Sequence, residues 1–111
     1  MGRLENNMEN ERIQFLRDSL AARPDDTFAR YALALELVRG SQPDQAWEHF
    51  RYLLEHHPDY SASYYQAGLL LANQGRTEEA RQVLTKGIEV TGRLGQKHAH
   101  GELMDALENL D

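Results

Sequence analysis

Among the residues of this 111-residue chain that could do chemistry, the histidines come first, because there is no cysteine to join them. His56 and His57 are adjacent at a predicted helix end, where the negative end of the helix dipole favours positive charge, so capping or solvation accounts for them. His98 and His100 are two apart, a spacing that sends them to nearly opposite sides of a helix and prevents them from holding one ion together. His98 with Glu102 is the weaker remaining pair. Ser61 and Ser63 stand at a predicted helix start, where hydroxyls cap free N–H groups, and Glu78 and Glu79 are first-turn carboxylates on a solvated face. Nothing at recognisable spacing supplies a nucleophile with its base, a carboxylate pair or a glycine-rich phosphate loop. The sequence therefore predicts no enzyme: no catalytic residues, no cofactor and no metal.

Charge and composition narrow the partners. A net charge of −6, with Lys and Arg scattered among acids, opposes a grip on a phosphate backbone, so no nucleic acid is expected. No apolar run approaches the ~18 residues of a membrane span, and the opening Met1-Gly2-Arg3-Leu4-Glu5-Asn6-Asn7 is polar, without the apolar stretch of a signal peptide. Lack of cysteine excludes disulfides and thiolate zinc sites and fits a reducing compartment. A cytoplasmic protein without membrane insertion is the expectation.

The elements that must position any site are helices. Ile13, Leu16 and Leu20, with Phe15 beside them, predict an amphipathic helix from about Met8 to Ala22, preceded by a flexible N-terminus over 1–8. Pro24 stops it. Asp25, Asp26 or Thr27 can cap a second helix carried by Phe28, Tyr31, Ala34, Leu35 and Val38 to Gly40, and Pro43 suits the first turn of a third with Ala46, Phe50, Leu53 and Leu54 inward. After Pro58, Asp59 or Ser61 can cap a fourth helix through Tyr64, Ala67, Gly68 and Leu71, turning at Asn73-Gln74-Gly75. A fifth starts near Thr77 with Ala80, Val83, Leu84, Gly87 and Ile88 inward, and Thr91-Gly92 is read as its interruption. From about Gln96, Ala99, Leu103, Ala106, Leu107 and Leu110 predict a sixth, despite Gly101.

Pro24 and Pro58 are 34 residues apart, and the pattern repeats at that interval: Tyr31 falls on Tyr65, Leu35 on Leu69, Leu37 on Leu71, Ala46 on Ala80 and Glu55 on Glu89. Gly40 and Gly75 mark a turn within each unit. A helix-turn-helix unit of this length cannot bury its apolar face alone and must stack on a neighbour, so the fold class is all-α, an α-solenoid of antiparallel helix pairs with about six helices. The single domain runs over 9–111, with repeat one at about 27–58, repeat two at about 61–92 and a C-terminal capping helix at about 96–110.

From about Arg12 to Leu110 these residues resemble the tetratricopeptide repeat family. In unit two, Tyr64 fills the large aromatic slot, Ala67 stands where Leu is commoner, Gly68 is the small residue of close helix contact, Gly75 makes the turn, and Ala80 and Leu84 complete the pattern. In unit one Leu33, Ala34, Leu37, Ala46, Phe50 and Pro58 fit, whereas Arg30 occupies the aromatic slot and no glycine follows Ala34. The segment before Pro24 looks like the second helix of a degenerate unit. The resemblance implies a non-catalytic protein-interaction module whose groove is lined by the first helix of each repeat: Phe28, Tyr31, Leu35, Val38 and Arg39, then Tyr65, Leu69 and Asn73. Tyr31 and Leu35 occupy sites where carboxylate-clamping members carry Lys and Asn, so an apolar helix or extended peptide is the expected ligand. A small chaperone or assembly factor, and a structural homo-oligomer or homodimer, stay open as alternatives. So does covering of the groove by the N-terminal helix, and so does Trp47, either packed between helices or binding at the outer face.

Overall fold

The computed structural model describes the backbone of residues 2–110 and, from residue 8 on, the side chains except that of Glu9. Among the described residues six helices follow one another: α1 (Gly2–Ala22), α2 (Thr27–Arg39), α3 (Pro43–His56), α4 (Ala62–Asn73), α5 (Thr77–Leu94) and α6 (Lys97–Glu108). No strand occurs among the described residues, and the fold is an all-α helical repeat. The chain forms two compact units, one ending at Leu53 and the other starting at Leu54, so the division falls inside α3.

In the first unit, α1 begins at Gly2, inside the stretch 1–8 read as flexible, and packs on α2. No proline or further glycine interrupts it before Pro24, which is why helix geometry extends beyond the periodic apolar residues. Asp26 caps α2, its carboxylate accepting the Ala29 N–H at 3.0 Å. The face of α2 that turns inward is Ala29, Leu33, Ala34 and Leu37, not the Phe28, Tyr31, Leu35 and Val38 series. α2 is apolar on both sides, so helical periodicity alone does not choose between them. Ile13 and Leu20 of α1 are buried in this unit, and so are Ala46, Phe50 and Leu53 of α3, while Phe15 stays exposed. Trp47 is half-buried on α3.

The turn between α2 and α3 contains Gly40, but the left-handed residue in it is another. Gly40 has an ordinary φ of −80°, and Ser41 is the left-handed residue at φ 58°. Ser41 lies 34 positions before Gly75, whose φ is 74°. The two turns share one backbone shape, with a serine doing in the first what glycine does in the second.

In the second unit α4 packs on α5 and α6, and α5 packs on α6. Tyr64, Leu84, Val90 and Leu103 form the core cluster, with Leu54, Val83 and Ile88 against it. Two glycines permit the close approach. A Cβ on Gly68 would lie 2.7 Å from Leu84 Cγ, and one on Gly87 would lie 2.6 Å from Tyr64 Cβ. α5 does not stop at Thr91-Gly92. It continues to Leu94 and ends at Gly95 in the left-handed region, φ 71°. Thr91 is buried without harm because its hydroxyl donates to the Gly87 carbonyl at 2.8 Å, a bond that stays within the helix.

Candidate interaction surface

Ser61, Ser63 and His100, nominated first for their chemistry, are absorbed by the fold, and His98 is not. Ser61 is the residue before α4 but makes no capping bond; its hydroxyl donates to Gln96 Oε1. Ser63 is fully buried inside α4 with no hydrogen-bond partner for its hydroxyl. His98 Nε2 lies 3.5 Å from Glu102 on exposed surface, and among the described residues no three His, Asp or Glu side chains gather as a metal set. His100 Nδ1 is 3.1 Å from both the Ile88 carbonyl and Thr91 Oγ1. Since the threonine hydrogen already goes to Gly87, Nδ1 carries the hydrogen here and serves to join α6 to α5.

His49, which the sequence did not single out, is the more unusual histidine. Burial pushes its pKa below the ordinary 6.5, and the guanidinium of Arg30 adds to the shift, with Arg17 contributing and Glu48 opposing. Arg30 Nη1 lies 3.1 Å from His49 Nδ1, and a guanidinium can only donate, so the imidazole accepts at Nδ1 and carries its hydrogen on Nε2.

Arg30 also explains how unit one dispenses with its aromatic residue. Its Nη2 donates to the Pro24 carbonyl at 2.7 Å while the guanidinium lies 3.7 Å above the ring centre of Tyr52. In unit two the Tyr64 hydroxyl donates to the Pro58 carbonyl, also at 2.7 Å, and burial raises the phenol pKa. Arginine and tyrosine thus reach the same backbone acceptor, one preceding α2 and the other α4.

Within the first unit, the outward face of α2 carries Phe28, 73% exposed, and Val38 and Arg39, also exposed, with Tyr31 and Leu35 half-buried. Tyr31 meets the ring of Phe50 edge-on, with centroids 6.3 Å apart. Arg39 approaches Glu36 at 3.3 Å, and Arg12 of α1 reaches the same carboxylate at 3.2 Å. Although α1 packs on α2, it leaves Phe28 uncovered.

Within the second unit, Tyr65 and Leu69 line a pocket of about 390 Å³ between α4 and α6, together with Gly68 and Ala72. Leu84 also lines it, as do Glu102, Asp105 and Ala106 of α6 and, just past its end, Asn109 and Leu110. Asn73 is exposed and is not part of the lining. Sequence reasoning missed the α6 wall because it treated that helix as a cap. The available signal was that Glu102, Asp105 and Asn109 recur at three- and four-residue steps beside the apolar stripe of Ala99, Leu103 and Ala106. The lining contains no lysine or arginine and so offers no cation for a terminal carboxylate.

Repeated helix pairs with partly apolar outer surfaces define a protein-interaction module of the helical-repeat class. A tetratricopeptide repeat family model matches residues 31–89, and the chain belongs to that family. It is similar to a TPR repeat-containing protein of Pseudomonas aeruginosa, 28% identical over 99 residues that span 89% of this chain and 94% of the relative. Among solved structures, a tetratricopeptide repeat domain protein from Salinibacter ruber is 37% identical, with a TM-score of 0.75 over 78% of this chain and 88% of its own. A Bordetella parapertussis protein is 28% identical, with a TM-score of 0.76 over 88% and 85%. The family works chiefly through non-catalytic protein binding. No helix among the described residues is long and apolar enough to cross a membrane.

Proposed function

We propose that the chain is a TPR adaptor that holds a peptide or helix of a protein partner on the outward face of a repeat-opening helix, α4 above all. The observation that carries this reading is the pocket beside α4, where Tyr65 and Leu69 stand at an opening and not in a closed core. Exposed Phe28 and Val38 on α2 support it, because large apolar side chains left in water are the raw material of interfaces. A chaperone or assembly factor for a client's apolar segment would use the same faces.

Phe28 and Leu69 are the residues to test, since Tyr31 is tied to Phe50 and its removal would weaken the fold together with any binding. Phe28→Ser with Leu69→Ser is expected to keep wild-type helicity and to lose the partners that a tagged wild-type protein captures from lysate of the native cell. Retention of the same partners by the folded double variant would refute the reading.

Self-association is favoured by a separate observation on α1, where exposed Met8 and Phe15 flank a shallow apolar hollow with Leu16. In that reading sedimentation equilibrium gives a dimer mass for the wild type and a monomer mass for Phe15→Glu.

A further inference from the structure

The pocket between α4 and α6 has a charge character that narrows its occupant. α4 contains no ionisable acid or base other than its two tyrosines, and the charged side chains in the pocket lining are Glu102 and Asp105. They are three apart on α6 and therefore one turn from each other on the same side of the helix. From Gly101 to Asp111 the sequence holds four acids and no lysine or arginine. His98 near Glu102 neutralises a charge only when protonated. Opposite this acidic wall stand Tyr65, Leu69 and Ala72. A volume of about 390 Å³ is near the lower end of small-ligand pockets, room for one or two large side chains and not for a whole helix.

We infer that this pocket takes a cationic amphipathic segment of a protein partner. An apolar side chain of that segment enters between Tyr65 and Leu69 on one side and Leu110 on the other, and lysines or arginines one helical turn apart meet Glu102 and Asp105. The inference rests on the proposed interaction role of α4 and adds the chemistry of the ligand. Charge complementarity selects against the other occupants. A second copy of the chain brings a further net charge of −6, and an acidic peptide meets two carboxylates with no cation in the lining.

The test uses the full chain and three labelled 14-residue amphipathic peptides that share one leucine face and carry lysine, glutamine or glutamate on the other. Fluorescence anisotropy at low salt is expected to show the lysine peptide binding at least about tenfold more tightly than the glutamate peptide. Glu102→Gln with Asp105→Asn is expected to reduce that affinity by about tenfold, whereas removing two acids from α1, Glu11→Gln with Asp18→Asn, changes it by less than about twofold. The α1 variant separates the pocket from attraction by the whole acidic protein. Leu69→Ser should weaken all three peptides. Equal binding of the three peptides with loss on Leu69→Ser would overturn the cationic preference and leave the apolar face standing. Indifference to Leu69→Ser would overturn both readings, as would failure of the lysine peptide to bind. Equal weakening by the α1 and α6 charge variants would overturn the assignment to the pocket, and a dimer whose mass falls with Leu69→Ser would give the pocket to a second copy instead.

Discussion

His49 and Arg30 show how one substitution at a repeat position spreads into its neighbours. An arginine in an aromatic slot needs an acceptor, a ring to lie on and a neighbour that does not compete for charge, and Pro24, Tyr52 and neutral His49 supply these in turn. Because the folded-state pKa of His49 is lowered, its contribution to stability is complete above about pH 6.5 and is lost as the pH falls toward the folded-state value, where the unfolded chain takes up the proton first. Urea midpoints measured between about pH 8 and pH 5 are expected to fall more steeply for the wild type than for His49→Gln. Parallel curves would mean that His49 is not held neutral. Ser41 gives a second prediction at this scale. A left-handed serine is strained where glycine is not, so Ser41→Gly is expected to raise stability by about 0.5–1 kcal/mol with an unchanged denaturant slope, while Gly40→Ala, with negative φ and only ordinary contacts, stays near neutral.

Helix pairing in the second unit depends on two absent side chains. Leu84 fills the space in front of Gly68, and because a Cβ there would lie 2.7 Å from Leu84 Cγ, the whole leucine side chain would have to leave its buried position. Gly68→Ala is expected to cost about 1–3 kcal/mol, seen as a fall in Tm of about 4–8 °C for each kcal/mol, and Gly68→Leu more. Gly101 provides the contrast. It lies within α6 with nothing near the position of its Cβ, so Gly101→Ala is expected to stabilise by up to about 1 kcal/mol. A loss on Gly101→Ala as large as that on Gly68→Ala would mean that close helix approach is not what sets these values. How far the sequence makes elements legible varies for physical reasons. The 34-residue interval and the prolines reveal the helix pairs, since breakers and size classes act locally. The inward side of α2 was legible through the repeat pattern, which includes Leu33, Ala34 and Leu37, and not through periodicity, because apolar residues surround that helix. The end of α5 was misplaced at Thr91-Gly92 because a threonine can satisfy its own hydroxyl within a helix, leaving Gly95 to make the turn.

At the scale of the whole molecule, the family and the helical-repeat fold follow from the repeated pattern, while the surface chemistry depends on where α6 lies. Tyr65 and Leu69 could be nominated from their register in the repeat. Glu102 and Asp105 showed in the sequence only as a periodic acidic edge of α6, and their relevance to a pocket comes from the packing of α6 beside α4. Stability too belongs to the assembly of units, since each contributes its own buried side chains: Phe50 and Leu33 in one, Tyr64 and Leu84 in the other. The only tryptophan, Trp47, sits in the unit that ends at Leu53. Its emission therefore tracks that half of the chain, whereas far-ultraviolet dichroism sums over every helix. Because α3 supplies residues to both units, the two optical melting curves are expected to coincide. Separate midpoints would identify a chain able to unlock one half while keeping the other, and a single fluorophore placed by evolution would be enough to watch it happen.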